Sequence, residues 1–252
     1  MPNASRMRDD ILTTHRSPNH TQRRGVVCPD MIVLHYTGME TATAAIERLC
    51  DPLTEVSAHY VVAPAGQIFA LVDEDRRAWH AGRSQWGGVN DVNSHSIGIE
   101  IANPGHMLGY PPFPEPQMLS VEWLVAQVMK CWKIAPERVV GHACIAPGRK
   151  IDPGEKFDWA RLARQGLAVF LPECLAESTD CDAGSFLGHA RRIGYPVPDA
   201  TDWSAEALDV WHAFAMRFLP GRANHPPDAK GTAHAARIAE RWPVIDPVPP
   251  SA

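Results

Sequence analysis

Three side chains far apart in the chain have the chemistry of one metal site. His35 stands near the end of the apolar run Met31-Ile-Val-Leu-His-Tyr36. His142 and Asp152 stand in Gly141-His-Ala-Cys-Ile-Ala-Pro-Gly-Arg-Lys-Ile-Asp-Pro-Gly154, a segment bounded and interrupted by glycine and proline. Two imidazoles and one carboxylate form a donor set that holds a catalytic zinc and leaves one position open. On that reading the chain is a metallohydrolase. The chain has 12 histidines, so residue type alone decides little. The position of His35 and His142 at the ends of strand-like runs carries more weight, because such ends face clefts.

Two further residues fit hydrolysis. Glu100 lies on the polar side of Ser96-Ile-Gly-Ile-Glu-Ile101, opposite Ile97, Ile99 and Ile101. It is either a solvent-facing strand glutamate or a general base for an attacking water. Lys150, two positions before Asp152, is either a surface lysine or a cation for the oxyanion of a tetrahedral intermediate. Cys144, two positions after His142, stands close enough to line the same site.

The elements needed to position these groups are readable in outline. Met31–Leu34 reads as a short buried strand and Thr41–Leu49 as a helix. His59–Ala63 and Gln67–Leu71 flank Pro64-Ala-Gly66 as a hairpin, and Ser96–Ile101 alternates as a strand. Pro111–Pro116 reads as a loop, with Ser120 capping the helix that follows. Phe157–Phe170 reads as an amphipathic helix closing the first domain. Helical patterns recur at Ser185–Ile193, Ser204–Phe218 and Thr232–Arg241. In the second, Ala207, Leu208, Trp211, Phe214, Ala215 and Phe218 make a buried stripe. The expected organisation is an N-terminal arm (1–25), a catalytic domain (26–172), a linker (173–184), a three-helix domain (185–242) and a flexible tail (243–252). The fold class is α/β, a mixed central sheet flanked by helices.

Composition removes several alternatives. A chain of 252 residues with a formal charge of -5 and no long basic run is a poor nucleic-acid binder. No apolar stretch reaches the roughly 18 residues of a membrane span. The N-terminal segment lacks the apolar core of a signal peptide, so a cytoplasmic location is expected, or the periplasm or envelope if a leader has been removed. The six cysteines (28, 50, 131, 144, 174 and 181) form no CxxC pair and read as scattered thiols, with Cys174–Cys181 a conceivable bridge in an exported protein. A monomer is slightly favoured.

Five ordered blocks carry a family resemblance: Ile32-Val-Leu-His-Tyr-Thr37, Val56-Ser-Ala-His-Tyr60, Ala78-Trp-His-Ala-Gly82, Asn93–Asn103 and Gly141–Gly154. Over roughly residues 25–170 the sequence resembles the zinc-dependent N-acetylmuramoyl-L-alanine amidases of the peptidoglycan-recognition superfamily. The resemblance implies one zinc ion held by His35, His142 and Asp152. It puts Glu100 in the position of the catalytic carboxylate and Lys150 in that of the intermediate-stabilising cation. Tyr36, His80, Asn103, Cys144 and Arg149 become candidate substrate contacts, with His59 and His80 also in motifs that shape the domain. The implied substrate is the amide joining the lactyl group of N-acetylmuramic acid, or its 1,6-anhydro form, to L-alanine. Residues 184–242 resemble the small peptidoglycan-binding module of the two-domain branch, through Phe214-Ala-Met-Arg-Phe-Leu-Pro220. Relatives in wall recycling have an acidic residue before Ile-Ala-Pro-Gly-Arg where this chain has Cys144, which bears on sugar or peptide recognition. The rival readings are a non-catalytic peptidoglycan receptor, which usually lacks a zinc ligand, and a zinc peptidase cutting within the stem peptide.

Overall fold

A computed structural model describes residues 11–172 and 181–245. The described residues divide into two compact units, one running up to Gly82 and including Asp91–Ala135, the other comprising Arg83–Asn90 and the described residues from Pro136 onward. This division differs from the boundaries read from the sequence. The 173–184 linker lies largely outside the described residues, as does Cys174.

The first unit contains β1 (Ile11–Leu12), β2 (His20–Gln22), β3 (Met31–Tyr36), α1 (Ala42–Cys50), β4 (Tyr60–Val62), β5 (Ile68–Ala70), β6 (Arg76–Ala78), α2 (Val92–His95), β7 (Ser96–Ile101) and α3 (Glu115–Trp132). The sheet runs β1-β5-β4-β7-β3 through this unit, and β2 pairs with β6 apart from it. β3 and β7 are parallel, from Met31 opposite Ser96 to Tyr36 opposite Ile101. Met31 through Leu34, Ile97, Ile99 and Ile101 are fully buried, as expected of parallel strands covered on both faces. β4 and β5 form the expected antiparallel hairpin. α1 packs Ile46 and Leu49 against Ala58, Val61 and Leu71, and the Thr41 hydroxyl caps it by accepting from the Ala44 N–H.

The structure corrects four local expectations. The N-terminal arm is not separate from the domain: β1 and β2, in its described part, pair with β5 and β6, and Ser17 and Asn19 are buried. Ser17 donates to the Leu49 carbonyl, and Asn19 donates to the carbonyls of Asp51 and Val56. α3 begins at Glu115, five residues before Ser120. Pro116 occupies the first turn, where no N–H is required, and Ser120 is an interior residue donating to the Gly66 carbonyl. The helix expected over Phe157–Phe170 is confined to Trp159–Arg164, because the chain turns left-handed at Gly166. The last helix starts at Ala229, capped by Asp228, and not at Thr232.

The second unit contains β8 (Val139–Gly141), α4 (His142–Ile145), α5 (Trp159–Arg164), α6 (Ala183–Ile193), α7 (Ala205–Phe218) and α8 (Ala229–Arg241). Phe186, Trp211, Phe214 and Phe218 of α6 and α7 form its aromatic centre. α7 also packs against α4. Arg217 of α7 is buried, donates to the Val139 carbonyl at 3.0 Å and stacks on the Trp159 ring at 4.5 Å. These contacts join the three C-terminal helices to the segment around His142, which explains why residues 136–172 belong to their unit. Val244 and Ile245, read as part of a loose tail, donate to the Arg192 carbonyl.

Candidate metal centre and active site

In the first unit the parallel register sets His35 opposite Glu100. Paired residues of a parallel ladder project from the same face, so an imidazole and a carboxylate stand side by side on strands about 4.8 Å apart. His35 is buried, and its Nε2 lies 3.0 Å from Nδ1 of His80. The His80 ring is seated against the backbone of β7: a Cβ at Gly98 would overlap it. The Asn93 side-chain oxygen holds this segment by accepting from the N–H groups of His80 and Ala81. His59 is also buried in the strand half. Its Nε2 bonds the Arg76 carbonyl and its Nδ1 accepts from the Gly98 N–H. Burial, before any other cause, lowers its pKa to about 3.

In the second unit β8 delivers His142 to the first position of α4. His142 Nδ1 lies 3.1 Å from an Asp152 oxygen, and both side chains are buried. The Ala143 N–H donates to the Asp152 carbonyl at 2.8 Å, closing the loop back on α4. Gly141 makes room for that return, since a Cβ there would stand 2.7 Å from Pro153. The Asp152–Pro153 peptide is cis. Arg149 reaches to 3.4 Å from His142 Nε2, and burial lowers its pKa despite the attraction of Asp152. The N–H groups of Arg149 and Lys150 both donate to the Ala146 carbonyl, which turns the half-buried Lys150 back alongside α4.

One nitrogen of His35, one of His142 and one oxygen of Asp152 all lie within 4.8 Å of one another. Around a tetrahedral ion with bonds of about 2.0–2.2 Å the donors stand roughly 3.4 Å apart, a spacing within the 4.8 Å limit of this cluster. Buried imidazoles and a carboxylate are also the donor chemistry such an ion requires. The group could therefore hold a metal ion.

Comparison with known proteins agrees with the geometry. The N-acetylmuramoyl-L-alanine amidase family matches residues 24–155. The N-acetylmuramoyl-L-alanine amidase AmiD of Escherichia coli K12 is 35% identical over 233 residues, covering 84% of this chain and 83% of the relative. The chain belongs to this amidase family. A solved complex of E. coli AmiD with the substrate anhydro-N-acetylmuramic acid-L-Ala-D-gamma-Glu-L-Lys aligns with a TM-score of 0.77 at 33% identity, covering 88% of this chain and 93% of that one. AmpDh3 of Pseudomonas aeruginosa in complex with anhydromuramic pentapeptide aligns with a TM-score of 0.72 at 28% identity, covering 91% of this chain and 97% of that one.

The remaining candidates of this amidase fall into different surroundings. The Tyr36 hydroxyl lies 3.0 Å from His106 Nδ1, and His106 stacks on Tyr110. Asn103 is buried and uses both ends of its amide within its own loop, accepting from the Gly105 N–H and donating to the Pro111 carbonyl. The Cys144 thiol is buried, with the Tyr195 hydroxyl at 3.5 Å and an Arg217 nitrogen at 3.8 Å. Sequence reasoning missed Asn93, Ser96 and Arg23. Asn93 and Ser96 lie inside a recognised block, but nothing in their type or spacing marks them as supports of His80. Arg23 donates to the carbonyls of Glu74, Ser94 and Ser96 from within the N-terminal arm.

Proposed function

We propose that the chain hydrolyses the lactyl–L-alanine amide of muropeptides with one zinc ion held by His35, His142 and Asp152. The observation that carries this reading is the convergence of those three buried donors in a chain of this family. A zinc ion in such a site polarises a carbonyl and lowers the pKa of water toward about 7. Glu100, on the same face as His35, takes a proton as a water oxygen bonds to the amide carbon. Lys150 donates a hydrogen bond to the oxygen that gains the negative charge. The carbon–nitrogen bond then breaks, and Glu100 returns its proton to the departing alanine nitrogen. The products are a sugar with a free lactyl carboxylate and a peptide with a free L-alanine amino group.

The complexes of AmiD and AmpDh3 contain anhydromuramyl peptides. They support soluble 1,6-anhydro-muropeptides as the substrate class, and with it a role in wall recycling. The test is mass spectrometry of products from a purified anhydro-muropeptide and from intact sacculi, using zinc-loaded protein. The expected result is release of the whole stem peptide, faster from the soluble fragment. Cleavage inside the stem would establish a peptidase, binding without cleavage a receptor, and preference for sacculi a role in turnover of the intact wall.

A further inference from the structure

His35 has two ring nitrogens, and only a nitrogen without a proton can donate a lone pair to a cation. A chain of bonds within the first unit decides which one that is. The Ser96 hydroxyl donates its single proton to the Val92 carbonyl at 2.6 Å. A carbonyl oxygen can only accept, so the Ser96 oxygen is left as an acceptor toward His80 Nε2, 3.1 Å away. His80 Nε2 must then carry a proton. In the neutral ring this makes His80 Nδ1 an acceptor, and it faces His35 Nε2 at 3.0 Å. His35 therefore carries its proton on Nε2, and Nδ1 keeps the lone pair.

We propose that His80 and Ser96 are positioning residues that fix the tautomer of His35 and so prepare its Nδ1 as a metal ligand. The proposal rests on the zinc reading above, but its first test needs neither zinc nor substrate. Three features hold the relay in place. Val92 lies in α2, which leads directly into Ser96 at the start of β7. Gly98 leaves the space that the His80 ring occupies. Asn93 grips the backbone at His80 and Ala81. Partners of this kind, bonded to the far nitrogen of a ligating histidine, orient the ring and raise its basicity.

The test uses the full chain, metal-free and labelled with 15N in histidine. Long-range proton–nitrogen correlation spectra should show the His35 proton on Nε2 and the His80 proton on Nε2. A His35 proton on Nδ1 in the unsubstituted chain would overturn the proposal without any variant. Ser96→Ala should give mixed tautomers at both rings and weaken zinc binding ~10–100-fold in competition with a chromophoric chelator. Ser96→Thr, which keeps the hydroxyl, should bind within a few-fold of the unsubstituted chain. Equal losses in the two variants, or unchanged affinity in Ser96→Ala, would sink the relay. A chain with the stated tautomer that leaves muropeptides uncut would instead overturn the amidase reading and leave the relay standing.

Discussion

His35 and the pair His142–Asp152 reach one donor set from two kinds of backbone. His35 sits in a strand held by a parallel register from Met31 to Tyr36, with His80 behind its ring. His142 sits at the start of a four-residue helix, and Asp152 returns to that helix by accepting from the Ala143 N–H and by its side-chain contact with His142. In each half a glycine admits a neighbour beside the donors: Gly98 the ring of His80, Gly141 the ring of Pro153. The strand half gains precision from many repeated bonds, so the loss of one is shared among the rest. The loop half closes through bonds between single residues and has no repeating ladder, so each closure matters more. Glu100 belongs to the stiff half and Lys150 to the local one, which places the proposed base and the proposed oxyanion partner on different supports.

The most severe way to break the loop half is Asp152→Ala. It removes a donor and the partner of His142 together, and zinc content and amide cleavage should both disappear. Cleavage that survives at the original zinc stoichiometry would show that the loop half is not part of the centre. Glu100→Gln, in the strand half, should keep zinc and fold while kcat falls ~10²–10⁴-fold, the range for loss of a positioned acid–base group. Lys150→Met should follow with a ~10²–10³-fold loss in kcat. A loss confined to KM would reassign Lys150 to ground-state binding. Gly141→Ala touches no donor, yet forces a methyl against Pro153. It should cost about 1–3 kcal/mol in denaturant unfolding and weaken zinc binding, as overpacking of a closed site does.

The same contrast explains what the sequence could reveal. The alternation of Ile97, Ile99 and Ile101 announces β7 and puts Glu100 on the other face, because a strand's period of two is carried by residue type. His35, His142 and Asp152 were legible as ligand types near strand ends and in a Pro-Gly segment. Their convergence was not, since it depends on pairing across long sequence separations. The relay behind His35 was illegible for the same reason: a serine opening a strand looks like any other polar start. Helix limits failed where one signal outweighed another. The prolines at 111–116 suppressed the reading of a helix that tolerates Pro116 in its first turn, and Ser120 resembled a cap while serving as an interior donor. Arg217 was hidden inside an aromatic stripe. Only the packed structure reveals a buried guanidinium stacked on Trp159 and bonded to the strand that precedes His142.

The smallest predicted effect comes from His59, which is bonded to Gly98 of β7. Burial lowers its pKa to about 3, against about 6.5 for an unperturbed histidine, so the folded chain keeps the ring neutral where the unfolded chain binds a proton. The unfolded state then holds more protons between those values. Stability contributed by this group is fully present above about pH 6.5 and falls as the pH drops toward about 3. From about pH 7.5 to about pH 5.5 the loss should be roughly 1 kcal/mol. In His59→Gln the amide can still donate to the Arg76 carbonyl but takes up no proton. That variant should be less stable at neutral pH, because the Gly98 N–H loses its acceptor, and its acid-dependent loss should be smaller by that amount. Urea unfolding of both proteins at the two pH values measures the difference. Parallel pH dependence in the two would mean that the ring is solvated or already charged, and that β7 is held less rigidly under His35 and Glu100 than its register implies.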